Sequence, residues 1–107
     1  MMNQVTIELW LWLGDQLKGE FESLSKMRSI RVERTGEGTT IRQLLQDLAR
    51  RYPPIAKEVY DVETDLLYPH VVLNYNDRII SPYEVYDRIL KDGDKITVLP
   101  MFFGGWK

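Results

Sequence analysis

Glu37-Gly38-Thr39-Thr40-Ile41-Arg42-Gln43-Leu44-Leu45-Gln46-Asp47-Leu48-Ala49-Arg50-Arg51-Tyr52-Pro53-Pro54 is the stretch around which the rest of this 107-residue chain is organised. Ile41, Leu44, Leu45, Leu48 and Tyr52 recur at helical spacing and form a single apolar stripe. Thr40 and Gln43 have the spacing of a capping box, in which side chain and backbone at the first turn satisfy each other's free donors. Arg50 and Arg51 complement the negative end of the helix dipole, and Pro53-Pro54 stops the helix. A helix with one greasy side needs a surface to cover, and the flanking sequence provides strands.

Upstream, Val5, Ile7, Leu9, Leu11 and Leu13 alternate with Thr6, Glu8, Trp10 and Trp12, the period of a strand with one buried face. Gly14 to Lys26 reads as a long connection with a helical turn around Phe21 to Leu24. Ser29 to Arg34 alternates again, with Ile30 and Val32 expected inward and Arg31 and Glu33 outward. The two strands then form a hairpin with a long loop. Downstream, Ile55 to Pro69 has the weakest pattern, and Ile55, Val59, Leu66 and Leu67 are expected to pin it to the core. His70 to Tyr75 is a strand, Asn76-Asp77 a turn, and Arg78 to Ile80 a short strand. Ser81, Pro82 and Glu84 start a second helix, with Val85, Ile89 and Leu90 on its buried side. Asp92-Gly93-Asp94 turns into a last strand, Lys95 to Leu99, which Pro100 ends. This order belongs to the α+β class with one layer of sheet. If the last strand lies beside the first, the two run parallel and the helix crosses between them, which is the β-grasp arrangement. The expectation is a mixed sheet of four to five strands on one main helix, with a short second helix.

The totals limit what such a domain does. With 44% hydrophobic and 28% charged residues and a net charge of −2, the chain has a globular composition and no basic footprint for nucleic acid. The absence of cysteine excludes a disulfide scaffold, a thiolate zinc site and a cysteine nucleophile. Val5 to Leu13 is too short to span a bilayer and lacks the flanks of a signal peptide, so a cytoplasmic protein without membrane partners is expected. His70, the one histidine, reads as structural. Asp92 and Asp94 read as turn residues rather than calcium ligands, and Glu58, Asp61, Glu63 and Asp65 as a solvated segment. No autonomous catalytic constellation emerges, and no metal or bound cofactor is expected.

The tail is more specific. Leu90-Lys91-Asp92-Gly93-Asp94-Lys95-Ile96-Thr97-Val98-Leu99-Pro100-Met101-Phe102-Phe103-Gly104-Gly105 resembles the C-terminal signature of the MoaD/ThiS family of ubiquitin-like sulfur carriers. That signature is a DGD turn, an apolar strand, an LP step and a Gly-Gly pair. Thr39-Thr40-Ile41 opening the helix, Arg51-Tyr52-Pro53 closing it and Val72-Leu73-Asn74 in the following strand also look similar. The resemblance covers nearly the whole chain except Ile55 to Pro69, and is greater to the molybdopterin synthase small subunit than to the thiamine-pathway carrier. Two features depart from the pattern: Trp106-Lys107 follows the glycines, and Met101-Phe102-Phe103 before them is bulky.

The resemblance implies a β-grasp domain over residues 1–100 and a flexible tail over residues 101–107. It implies that the carboxylate of Gly105, next to Gly104, is adenylated by a ubiquitin-activating-type adenylyltransferase using ATP and converted to a thiocarboxylate. The sulfur would then serve molybdopterin (Mo/W cofactor) biosynthesis with a synthase large subunit as partner. The chain itself is then a carrier and not an enzyme. Because a peptide-blocked Gly105 has no carboxylate, cleavage between Gly105 and Trp106, for example by a JAMM-type protease, is also expected. Partner contacts are expected from Met101, Phe102, Phe103, Leu99, Trp10 and Trp12; the tryptophans are either an exposed docking patch or the floor of a second small core. Two other readings use the same residues. One is a ubiquitin-like modifier joined through Gly105 to target lysines; the other is a β-grasp interaction module with no carrier role.

Overall fold

The computed structural model describes residues 2–11, 16–17, 19–25 and 27–100. Its strands are β1 (Met2–Trp10), β2 (Glu22–Ser23), β3 (Arg28–Gly36), β4 (Tyr60–Asp61), β5 (Leu66–Leu67), β6 (Val71–Tyr75), β7 (Arg78–Ile80) and β8 (Lys95–Pro100). Its helices are α1 (Ile41–Arg51), α2 (Pro53–Glu58) and α3 (Pro82–Asp87). The capping box of α1 forms as its spacing predicts: Thr40 Oγ1 accepts from the Gln43 backbone N–H, and the Gln43 side chain accepts from the Thr40 N–H. Ile41, Leu44, Leu45 and Leu48 are all buried, and with Val5, Ile7, Leu9, Ile96 and Val98 they belong to one core cluster.

The sheet order is β2-β3-β1-β8-β6-β7. β1 and β3 pair antiparallel, whereas β1 and β8 pair parallel from Thr6–Lys95 to Leu9–Val98. Parallel neighbours need a crossover, and α1 lies within it, packed on the core face. This is the ubiquitin-like β-grasp fold. Among the described residues the sheet has six strands rather than four or five, because Glu22–Ser23 forms an edge strand on β3 where a helical turn is expected. Leu17 and Phe21 in the same connection are buried, and Phe21 meets Tyr52 edge-to-face at 5.6 Å.

β3 reverses the expected orientation. Its partners Val5, Ile7 and Leu9 face α1, so Glu33, Arg31 and Ser29 opposite them face the same way. Val32 is 56% exposed on the other face. The cause lies in what covers this strand: the C-terminal end of α1 is polar here. Arg31 and Arg51 both bond the Glu33 carboxylate, Arg51 also pairs with Asp47 at 2.8 Å, and both guanidiniums lie beside the Tyr52 ring. Burial opposes ionisation of Glu33, but hydrogen bonds and charge from Arg31 and Arg51 hold its carboxyl below the ordinary value. A folded-state value below the unfolded one means stability that is present above the usual carboxylate range and lost as pH falls through the folded value. The urea midpoint should therefore hold from neutral pH down to about pH 5 and fall below about pH 4. Glu33→Gln should flatten that acid loss; an unchanged acid limb in the variant would contradict this account.

Residues 55–69 are better ordered than their sequence pattern suggests. Proline favours the first turn of a helix, where its missing N–H costs nothing, and Pro53-Pro54 begins α2 as well as ending α1. Ile55 and Val59 are buried as expected, but Leu66 is 49% exposed. The β4–β5 hairpin is held instead by fully buried Tyr60, whose hydroxyl donates to Asp65 Oδ1 at 2.6 Å. Asp65 also accepts from Gln46 and Arg42 of α1. Hydrogen bonds from Tyr60 and Gln46 together with Arg42 lower its carboxyl to about 2, a charged clip between hairpin and helix. α3 begins as predicted, with Ser81 Oγ accepting from Glu84 N–H. Ile89, expected on its buried side, is exposed because the chain leaves the helix at Arg88 to bridge Thr40.

Candidate functional site

The turn Asp92-Gly93-Asp94 is the junction on which the final strand depends. Gly93 has φ +91°, a left-handed conformation that costs a side-chain-bearing residue energy, and nothing crowds the position. Its N–H donates to Gln4 O at 2.8 Å, and Gln4 N–H donates back to Asp92 Oδ1 at 2.7 Å. Asp94 is only 7% exposed. Its Oδ2 accepts from the Tyr75 hydroxyl at 2.6 Å and from Lys91 N–H at 2.7 Å, and its Oδ1 from Asn76 Nδ2 at 3.0 Å. Its own carbonyl accepts from Thr6 N–H at 2.9 Å. Asn76, left-handed at φ 50°, accepts at its Oδ1 from Lys95 N–H. Asp94 thus ties the start of β8 to β1 through its backbone carbonyl and to β6 and the β6–β7 turn through its carboxylate.

Burial opposes ionisation of Asp94, yet bonds from Tyr75, Asn76 and the Lys91 backbone hold its carboxyl below the usual range. Burial, together with the same contact, pushes the Tyr75 hydroxyl up to about 12. Those bonds fix the register in which β8 leaves the turn. It runs between β1 and β6 to Leu99, opposite Val72, and Pro100, opposite Val71. The Gly-Gly pair therefore follows from the centre of the sheet, four residues after Pro100.

Of the residues expected to act, Leu99 and Trp10 are both half-buried and fall on the outer face at the same end of the sheet. They sit one residue beyond the Leu9–Val98 pair. Trp10 carries the Arg28 guanidinium over its ring at 4.7 Å, so it is a covered aromatic rather than a bare patch. Trp12, Met101, Phe102, Phe103, Gly104, Gly105 and Trp106 lie outside the described residues.

Sequence reasoning missed the charge beneath this face. Glu8 points outward from β1 but is only 2% exposed. Its Oε2 bonds Arg28 Nε at 2.6 Å, and its Oε1 lies 3.0 Å from Lys95 Nζ. Burial works against the charged carboxyl, but the bonds from Lys95 and Arg28 outweigh it and lower its pKa. Two cations against one carboxylate leave the surround basic. Ile30, Val32, Val72 and Ile79 lie on the same face, giving an apolar surface with a basic centre. The alternation of Ile30 and Val32 was visible in sequence; which face they occupy depended on the pairing with β1.

Among the described residues, no group of three or more His, Cys, Asp or Glu could hold a metal ion. Among them too, no helix is long and apolar enough to cross a membrane.

In sequence, the chain matches the ThiS family over residues 19–105. No curated protein matches it. Solved structures similar to it include small archaeal modifier protein 1 from Methanosarcina acetivorans, at TM-score 0.65 and 19% identity over 98% of this chain and 99% of that one. A putative molybdopterin converting factor subunit 1 from Pyrococcus furiosus matches at TM-score 0.60 and 20% identity, over 92% and 97%. The Amycolatopsis orientalis BexX/CysO complex contains a chain matched at TM-score 0.63 and 25% identity, over 94% and 99%.

Proposed function

The chain belongs to the ThiS family, and on that premise we propose that it is a sulfur carrier whose working group is the carboxylate of Gly105. The observation that supports this most is the Asp94 clasp, which directs β8 out of the middle of the sheet towards the Gly-Gly pair. From Pro100, five extended residues to Gly105 span roughly 16–18 Å, enough to enter another protein's active site while the folded body docks outside. Glycine at the end suits a narrow passage, since it has no Cβ and accepts nearly any backbone conformation.

The chemistry on this reading is acyl activation by a partner. A carboxylate oxygen of Gly105 attacks the α-phosphate of ATP, pyrophosphate leaves, and a sulfur nucleophile then displaces AMP to give the thiocarboxylate. A free carboxylate is required, so Trp106, Lys107 and anything after them must first be removed. The partner is an adenylyltransferase of the ubiquitin-activating type, and the sulfur goes to molybdopterin synthesis through a synthase large subunit. The name of the Pyrococcus relative favours that destination. The name of the Methanosarcina relative favours a second reading, in which the same activated carboxyl is passed to lysines of target proteins. Labelling of cell extract with a thiocarboxylate-reactive probe separates them. A labelled band at the size of the free chain supports the carrier, and high-mass conjugates without label support the modifier.

The outer sheet face is the surface this account assigns to the activating enzyme, through Trp10, Leu99 and their exposed apolar neighbours. Val32→Asp places a charge there on a side chain that is 56% exposed. Affinity for the activating enzyme should fall at least about tenfold, while stability changes by no more than about 0.5 kcal/mol. Titration calorimetry with parallel thermal melts checks both, and unchanged affinity would remove this face from the docking surface.

A further inference from the structure

A second apolar feature lies at the edge of the sheet beside β6. β6 pairs with β8 along its whole length, Val71 to Tyr75, but with β7 only from Leu73 to Tyr75. Beyond Ile80 the chain turns away through Ser81 into α3, leaving the start of β6 with a strand on one side only. The notch so formed is a groove of about 310 Å³ lined chiefly by Leu67, Val71, Val72, Ile79, Ile80 and Val85. Val72 and Ile79 come from the outer face of the sheet and Val71, Ile80 and Val85 from the core side, so the groove cuts through the sheet edge. Ile79 stands at its rim, 66% exposed.

We propose that this groove holds the chain's own Phe102-Phe103, folding the tail back against the domain until a partner draws it out. Continuity of the chain supports this occupant. Pro100 is paired with Val71, itself a wall of the groove, so the tail begins beside it. The groove opens on the far side of β6 from β8, about two strand spacings or roughly 10 Å away. Phe103, three residues past Pro100, covers roughly 10–11 Å when extended, and Phe102 roughly 7 Å before its side chain is counted. Size agrees as well. A cavity of about 150 Å³ accommodates benzene, so the groove has room for two phenyl rings. The chemistry fits, since six aliphatic side chains offer phenyl rings burial that water does not. An uncovered sheet edge is also a place where foreign strands pair, and a docked tail would block it. The proposal concerns where the tail rests and does not depend on whether Gly105 carries sulfur.

Methyl NMR of the full chain, compared with a chain ending at Pro100, tests the idea. Ring-current shifts at Leu67, Val72, Ile79 and Val85 that vanish on truncation, with Val32 unmoved, are the expected result. Those shifts should also vanish in the F102S/F103S double variant. In parallel, chymotrypsin should cut after Phe103 about tenfold faster in Ile79→Asp than in the parent, the factor that about 1.4 kcal/mol of lost contact gives. Superimposable spectra for full and truncated chains would overturn the proposal. Groove shifts that grow with protein concentration would also overturn it, because the occupant would then be a second copy.

Discussion

Asp94→Ala should be the most damaging single substitution on the polar side of this fold, lowering stability by about 3 kcal/mol. The carboxylate accepts three hydrogen bonds in a site only 7% exposed, and the Tyr75 hydroxyl it receives is itself buried. Hydrogen bonds to a charged group contribute about 1.5–3 kcal/mol each, and a buried donor left without an acceptor costs about 1–3 kcal/mol. The individual losses are not additive, since the three donors share one carboxylate. For a domain of this size, about 3 kcal/mol corresponds to a melting temperature lower by roughly 12–24 °C. Asp94→Asn keeps one acceptor oxygen and should lose noticeably less. Thermal melts of both variants check the ranking, and an Asp94→Ala chain melting within a few degrees of the parent would show that the turn does not clasp the sheet.

An effect larger still, but on chemistry rather than stability, is expected at the other end of β8. A chain whose last residue is Gly105 should release pyrophosphate from ATP when mixed with its activating enzyme. The same chain with Trp106-Lys107 retained should release none, because Gly105 then carries an amide carbonyl with no anionic oxygen to attack phosphorus, and the carboxylate at Lys107 lies two residues, roughly 7 Å, beyond the position the activating site requires. Removing Gly104-Gly105 should abolish the reaction as well, although a free carboxylate remains at Phe103. That carboxylate stops two residues, roughly 7 Å, short of the position the activating site requires. Turnover by the Trp106-Lys107 chain at the rate of the Gly105 chain would contradict the processing step, and turnover by the shortened chain would contradict the role of the glycines.

The sequence carried most of the fold because its strongest signals are local. The apolar stripe of α1, the Thr40–Gln43 box, the Asn76-Asp77 turn and the DGD turn all lie where the residues alone place them. The errors arose where a distant partner decides the outcome. Val32 faces outward because its pairing with Thr6 sets the face, and Glu33 turns inward because Arg51 of α1 waits there. Tyr60 anchors a hairpin through Asp65, a contact with no sequence period to announce it. Glu8 reads as a solvated residue in a strand and is instead a buried carboxylate between Arg28 and Lys95, 20 and 87 positions away. For the candidate site, the Gly-Gly pair and its DGD turn were legible as a pattern. The role of Asp94 in tying three strands together was not, because it needs Tyr75 and Asn76 brought to it by the fold.

Intact mass measurement of the protein purified from its own host tests the central claim most directly. The account predicts chains terminating at Gly105, with a fraction heavier by the exchange of one oxygen for sulfur. A population in which every chain still carries Trp106-Lys107, with no sulfur at the terminus, would contradict it.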